Sequence, residues 1–479
     1  MITKQNTYFL IILFLVTLLS LWKIGQHDLQ EWDEARNGVN AYEMLHNKDY
    51  VNYYYNNELD TWNAKPPLMI WSIVISYKIF GFNEFGLRFP SLISTILFFV
   101  FCFKIIELLG DRFKAFLCCL ILISSKAVLG YHIGLTGDFD SLLILLLTAS
   151  VYYFILYFEY KKKYAIYLVA IFTGLAFYTK GTASFIFIPG FIAYIFIRGK
   201  GTEFIKDKRI WFSMLLWILL VGSWVLLVYS FGKSSTHSFY GSKNSIETML
   251  VYDTFNRLTS TDFGEINAHD NFFFFTVIDS RLNLWNYLFY VSILLGLYTL
   301  FKNKNKFKAY IQSNANRLML LSFCLILPLA ITLSFAINQH NWYMAPIFMF
   351  IALVTVQGII YICDRFKLLY FAIIIMFAFT FIRHITYLNS LPASAHYALS
   401  GNKNLQNRKI IITDQLKQNT FLYLKWLNMS IIKLDSIKDI DEFKGQFLLL
   451  HKDKINNTLI KNIEQLYYFD DFCLAKIKH

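Results

Sequence analysis

The chain has 479 residues, of which 56% are hydrophobic, 19% aromatic and only 16% charged. Soluble domains run at about 45–50% apolar and about 25% charged, so one water-soluble core cannot absorb this excess. The net charge of +13 does not point to nucleic acid either, because Lys and Arg fall in short clusters between apolar runs rather than along one soluble face.

In chain order, the first apolar run, 8–24, follows a short polar start and is not followed by a small-residue cleavage site, so it reads as an uncleaved first transmembrane helix. Further runs at 91–109, 113–131, 139–158, 164–178, 183–197, 210–231, 285–301, 317–337, 342–362 and 368–382 reach, or nearly reach, the length needed to cross about 30 Å of hydrocarbon. The expected fold is an all-α polytopic membrane protein of about 11 to 13 transmembrane helices, with interfacial helices in its first outer loop and a small C-terminal α/β extramembrane domain. The six cysteines lie mostly within apolar runs and show no CxxC or Cys/His spacing, so they read as small hydrophobes.

The stretch 66–82 decides sidedness. It is apolar but interrupted by Ser72, Ser76 and Lys78. If it lies flat in the interface, opened by Pro66 and Pro67, the loops 110–114, 159–163, 198–209, 302–308 and 364–367 share one side and hold most of the clustered Lys and Arg. The positive-inside rule then makes that side cytoplasmic and places 25–90, 132–138, 232–284 and 339–341 outside. A membrane domain over 1–382 is followed by a tail, 383–479, in which strand-like runs 409–412, 431–434 and 447–450 alternate with helix-compatible stretches. No internal repeat is evident.

The outer segments collect unusual charges. Glu31-Trp32-Asp33-Glu34-Ala35-Arg36 puts three carboxylates and a guanidinium just beyond the first span, with Asp33 and Arg36 on one helical face. Read singly, this is a solvated juxtamembrane helix with local ion pairs. Lys65 precedes the interfacial helix, and Arg88 lies just before the second long span; each alone reads as a headgroup anchor. Asp138 and Asp140 open the fourth span, where a carboxylate is costly unless paired or wet. Their Asp-x-Asp spacing matches metal-assisted nucleotide-sugar binding, but nucleotide sugars are cytosolic and this pair is expected outside. Lys180, and His340 with Trp342 and Tyr343, complete the set; singly they read as an anchor and an aromatic belt. Convergence of five segments on one side favours a site over five separate anchors.

These residues carry a resemblance. Asp33-Glu34-Ala35-Arg36, Lys65-Pro66-Pro67-Leu68 with Trp71, Phe80 to Phe85, Arg88-Phe89-Pro90-Ser91, Gly137-Asp138-Phe139-Asp140, Tyr178-Thr179-Lys180-Gly181 and His340 to Pro346 resemble, in order and spacing, the bacterial aminoarabinose transferases and protein O-mannosyltransferases of the GT-C superfamily. The resemblance covers roughly the first three quarters of the chain. It implies an inverting transfer of a sugar from a polyprenyl phosphate to an envelope glycolipid such as lipid A, a glycan or a protein, at the periplasmic face of a bacterial inner membrane. It also implies Asp33 as the base, Asp140, Asp138 or Glu34 as the second carboxylate, and Arg36, Lys65, Arg88, Lys180, Tyr343 and His340 around the donor phosphate. Many relatives carry an Arg shortly before the second aspartate; here His132 is the candidate stand-in. No cofactor is assigned, and a divalent metal is left open. Two rivals share the composition. A secondary transporter would show repeated halves and midplane charges, and a lipid-linked oligosaccharide ligase would have a similar apolar core.

Overall fold

A computed structural model of the chain describes residues 6–60, 62–234, 245–250, 254, 269–302, 304, 307–394, 396, 406–412, 416–433, 444–451, 453, 463–469 and 472–478. Most of the expected outer segment 232–284 and part of the tail lie outside the described residues. The helices that matter here are α1 (Thr7–Leu21), α2 (Asp33–Asn47), α3 (Leu68–Phe80), α4 (Glu84–Leu109), α5 (Arg112–Ile123), α6 (Phe139–Phe158), α7 (Ala165–Lys180), α8 (Ile188–Ile197), α9 (Gly201–Lys206), α10 (Lys208–Phe231), α11 (Phe273–Leu282), α12 (Trp285–Lys302), α13 (Arg317–Phe335), α14 (Phe348–Cys363), α15 (Leu369–Ser390) and α16 (Gln418–Trp426). Among the described residues, seven helices are long and apolar enough to cross a membrane, and α1, α3 and α8 are shorter apolar helices.

The apolar stretch at 66–82 forms α3, whose 13 residues span about 20 Å, short of the hydrocarbon thickness. It packs against α2 and α4. Asn83 starts α4 by accepting a hydrogen bond from the Gly86 N–H at 2.8 Å, which fixes a turn between the two helices.

Two apolar runs depart from expectation. Over 113–131, α5 stops at Ile123, and residues 124–138 form buried, mostly non-helical chain. Ser124 and Ser125 turn their hydroxyls back onto the carbonyls of Ile121 and Leu122, and side chains that bond this way favour helix ends and turns. Glycine lets the stretch fold tightly: a Cβ on Gly130 would stand 2.5 Å from the Lys126 carbonyl oxygen. Irregular backbone is tolerated at membrane depth when protein surrounds it. At the other end, α15 runs to Ser390, eight residues past the expected boundary at 382, so Arg383 and His384 belong to the last long apolar helix rather than to the tail.

A short antiparallel pair, β1 (Tyr54–Tyr55) and β2 (Glu58–Leu59), lies between α2 and α3, and beyond α15 the tail forms a five-stranded sheet from β3 (Lys409–Ile412), β4 (Ser430–Lys433), β5 (Phe447–His451), β6 (Ile463–Phe469) and β7 (Phe472–Ile477), in the order β4-β3-β5-β7-β6. Strand β3 is parallel to β4 and β5, with Ile410 opposite Ile431 and Phe447; β7 is antiparallel to β5 and β6. The three strands seen in the sequence are all present. The last two were not anticipated.

The tail is not a separate body. Helix α16 lies on α2, and Leu422, Tyr423 and Trp426 share one buried cluster with Val39, Met69 and Tyr77. Gly38 has no room for a Cβ beside Leu422. Polar ties frame this contact: Tyr423 donates to the Asp28 carboxylate and accepts from the Leu29 N–H at 2.8 Å, and Glu31 Oε1 accepts from the Gln418 N–H at 2.5 Å. His396 faces Glu84 at 3.1 Å. The segment bearing Asp33 is thereby held between the membrane helices and the tail.

Candidate active site

Helix α2 begins abruptly. Trp32, just before it, has φ of 69°, a left-handed backbone for a bulky residue, and its carbonyl accepts from the Arg36 N–H at 2.8 Å. Glu34 follows, fully buried. It takes a fork of hydrogen bonds from Arg88, Nε to Oε1 at 2.6 Å and Nη2 to Oε2 at 2.9 Å, and accepts from the backbone N–H groups of Gly137 and Gln30, each at 2.8 Å. The other Arg88 bonds go to the carbonyls of Ile24, His27 and Asp28. This pair clamps the start of α2 to the irregular 124–138 segment and sets the distance between Asp33 and the aspartates that follow Gly137.

Three polar groups meet at that junction. His132 Nδ1 lies 3.2 Å from Asp138 Oδ2 and 3.7 Å from Asp33 Oδ2. Thr136 donates to Asp138 Oδ2 at 2.6 Å. The ligand atoms of Asp33, His132 and Asp138 all lie within 4.8 Å of one another, and Asp138 Oδ1 is buried without a hydrogen-bond partner among the described residues. Burial opposes charging His132, but Asp138 foremost, then Asp33 and Asp140, raise its pKa above the ordinary value. Two carboxylates, one imidazole and an orphaned carboxylate oxygen are a donor set that fits a divalent cation such as zinc or manganese. His132 also has a positive φ, 63°, and stacks on Trp342 at 3.8 Å; Trp342 in turn stacks on His340 at 4.6 Å.

Beside this cluster opens a cavity of about 450 Å³. Lys65, Asp140, Lys180 and Tyr343 line it together with apolar side chains such as Leu143, Ile186 and Leu333. Lys180 Nζ lies 2.7 Å from both Asp140 oxygens and 5.2 Å from the centroid of the Tyr343 ring. Lys65 Nζ is 5.2 Å from the centroid of the Phe139 ring. A phosphate with an apolar tail matches this mixture of cations and hydrocarbon.

The expected residues thus separate by position. Asp33 and Asp138 share the carboxylate–imidazole cluster, while Asp140, Lys65, Lys180 and Tyr343 share the cavity. Arg36 forks onto Asp60 at 2.7 and 2.8 Å beside Tyr55 and Trp62, so its charge is already balanced. His340 stacks behind Trp342 and is not in the cavity wall. Two expectations are corrected. All five N–H donors of Arg88 have protein acceptors, which leaves none for a phosphate, and both oxygens of Glu34 are spent on Arg88 and the backbone. These two residues position others. Sequence reasoning missed Asp60, whose bonds to Arg36, Asn40 and Asn63 organise the outer loop, and Thr136; neither sits in a motif.

Residues 64–227 match the family described as dolichyl-phosphate-mannose-protein mannosyltransferase. A protein of Aquifex aeolicus is 28% identical over 222 residues, 46% of this chain and 44% of that relative. The undecaprenyl phosphate-alpha-4-amino-4-deoxy-L-arabinose arabinosyl transferase 2 of Pseudomonas fluorescens is 34% identical over 121 residues, 25% of this chain and 22% of that enzyme. The matched stretches therefore span less than half the length of these relatives. Over the whole fold, the crystal structure of ArnT from Cupriavidus metallidurans bound to undecaprenyl phosphate superposes with a TM-score of 0.67 at 12% identity, covering 99% of this chain and 98% of that one. The chain shares the fold of that structure and, over part of its length, resembles the aminoarabinose transferases and protein mannosyltransferases in sequence.

Proposed function

We propose that this GT-C chain transfers a sugar from a polyprenyl phosphate, of the undecaprenyl type, to an envelope glycolipid, glycan or protein at the periplasmic face of a bacterial inner membrane. The observation that carries the reading is the adjacency of two sites: a cavity with cations among apolar side chains, and a cluster of carboxylates and an imidazole next to it. A lipid-linked donor needs that combination, with hydrocarbon for its tail, cations for its phosphate and a base at the anomeric carbon.

In this mechanism Lys65 and Lys180 receive the donor phosphate, with the Tyr343 hydroxyl beside them. Asp140 holds Lys180 in place and offsets its charge until the phosphate arrives. Asp33, whose side chain is 45% exposed, is the carboxylate open to an incoming acceptor. It takes the acceptor hydroxyl proton as that oxygen bonds to the anomeric carbon in line with the departing phosphate oxygen. One such attack inverts the anomeric centre. General base catalysis of this kind is worth typically about 10²–10⁴-fold. Negative charge growing on the leaving oxygen is met by prepositioned ammonium groups in a partly dry site. His132 and Asp138, with Asp33, would hold a divalent cation, which when bound supplies further positive charge for the leaving phosphate.

The test is a transfer assay on membranes containing the full chain, offered radiolabelled undecaprenyl-phosphate aminoarabinose and a polyprenyl-phosphate mannose. At least one donor should be consumed, and Asp33→Asn should abolish consumption while the protein still inserts. Full turnover by that variant rejects the role of Asp33, and consumption of neither donor rejects this choice of sugars.

A further inference from the structure

Beside the backbone of Tyr131, three cations gather with no carboxylate paired to them among the described residues. Arg281, at the end of α11, is 8% exposed. Its Nη1 reaches the carbonyls of Tyr131 at 3.2 Å and Lys126 at 3.4 Å, while the Lys126 N–H bonds back to the Arg281 carbonyl at 3.0 Å. Lys126 Nζ stands 3.9 Å from the centroid of the Tyr387 ring on α15. Arg383, on the same helix, completes the group, since its charge and that of Arg281 both act on Lys126. None of the three makes an ion pair among the described residues. The carboxylate whose field reaches Arg281, that of Asp140, is already occupied by Lys180.

Arg281 is the costly member of the group, because a buried charge without a counter-ion costs several kcal/mol. The adjoining His384 sharpens the point. It is 1% exposed, lies beside Lys126 and Tyr387, and neither of its ring nitrogens has a hydrogen-bond partner among the described residues. Three cations and an unsatisfied imidazole call for an anion rich in acceptor oxygens. Its route of entry is legible on α15, which is largely uncovered by protein: Ile382 is 63% exposed and Phe379 56%, and Arg383 lies on that open surface. Seven residues separate Arg383 from the end of the helix, about 10 Å along its axis, a depth from which an arginine reaches lipid headgroups.

We infer that Lys126, Arg281, Arg383 and His384 form a second phosphate site, filled from the bilayer by the phosphate group of a membrane lipid. It is separate from the donor cavity at Lys65 and Lys180, and it does not depend on the sugar-transfer reading. The charge-assisted hydrogen bonds of a phosphomonoester would satisfy the exposed cations and the buried imidazole together.

The probe is dioleoyl phosphatidic acid, titrated into the purified full chain in neutral detergent, with binding read as a rise in Tm; dioleoylglycerol, which lacks the phosphate, is the comparison lipid. Phosphatidic acid should stabilise the protein where dioleoylglycerol does not. With the donor cavity disabled by Lys65→Ala throughout, Lys126→Gln and Arg383→Gln should each weaken the remaining effect about tenfold or more, as loss of one charge-assisted bond implies. Arg281→Met reads the same loss from the buried side, and should that variant fail to fold, the two more exposed positions still decide. Equal stabilisation in the combined Lys126→Gln, Arg383→Gln protein overturns the site, as does loss of the whole effect on Lys65→Ala alone. Inorganic phosphate acting as strongly as phosphatidic acid at equal concentration overturns the lipid assignment.

Discussion

Arg88 and Lys65 carry the same charge and lie on either side of α3 in the chain, yet their surroundings differ sharply. Every donor of Arg88 is bonded to protein, so Arg88→Lys keeps the charge but loses the fork onto Glu34 and several carbonyl contacts. Breaking a buried pair typically costs about 3–5 kcal/mol. Thermal unfolding of Arg88→Lys and Glu34→Gln should therefore show a lower Tm, with donor KM little changed in whatever enzyme remains folded. Lys65 is the reverse case. It lines the cavity beside the Phe139 ring, so Lys65→Ala should raise donor KM and leave Tm near that of the parent; an unchanged donor dependence removes Lys65 from the phosphate site.

At the scale of elements, the chain leaving α1 and the chain leaving α15 are clasped together. Ser394 N–H bonds to the Gln26 carbonyl at 2.7 Å, Asp28 N–H bonds to the Pro392 carbonyl at 2.8 Å, and His27 pairs with Ala393 between them. His27 is held neutral, its pKa pushed down to about 4 by burial first and by Arg88 next. Unfolded, the imidazole titrates near its ordinary value of about 6.5. Between these pH values the unfolded chain binds the extra proton, so the contribution of His27 is fully present above about 6.5 and is lost as pH falls towards 4. The Tm of the parent should drop more steeply than that of His27→Gln over this interval, and equal slopes would clear His27 of the effect.

Elements also show where sequence reading succeeds. The long apolar helices were legible because twenty or so hydrophobic residues leave the backbone few alternatives in lipid. Strands β3, β4 and β5 were legible from β-branched and aliphatic runs. The break at Ser124 was not, since the residues beyond it are as apolar as a span and only their packing against α11 and α15 shows that they are loop. Among site residues, Asp33, Asp138, Asp140, Lys65 and Lys180 were visible because a charge beside hydrophobic runs is conspicuous. The pairing of Glu34 with Arg88 was hidden by the 54 positions between them, and Asp60 lies among ordinary loop residues.

For the whole molecule, the proposed sidedness rests on α3 not crossing the bilayer. If it lies in the interface, the Asp33 cluster and the basic loop at Lys161 to Lys163 face opposite compartments. A single cysteine replacing exposed Trp32 should react with a membrane-impermeant maleimide added from the periplasmic side, whereas one replacing exposed Lys163 should react only after the membrane is opened. The six native thiols are all buried and offer little background. Labelling of both positions from one side would sink the topology and the shared outer centre with it.

The docking of α16 on α2 has a consequence for engineering. Because Leu422 fills the space left by Gly38 and the tail bonds directly to Asp28 and Glu31, the two surfaces form one interlocking joint. A hybrid that grafts a related enzyme's tail onto this membrane core should assemble poorly unless residues 25–90 are transplanted along with it, so the two segments should behave as a single exchangeable cassette.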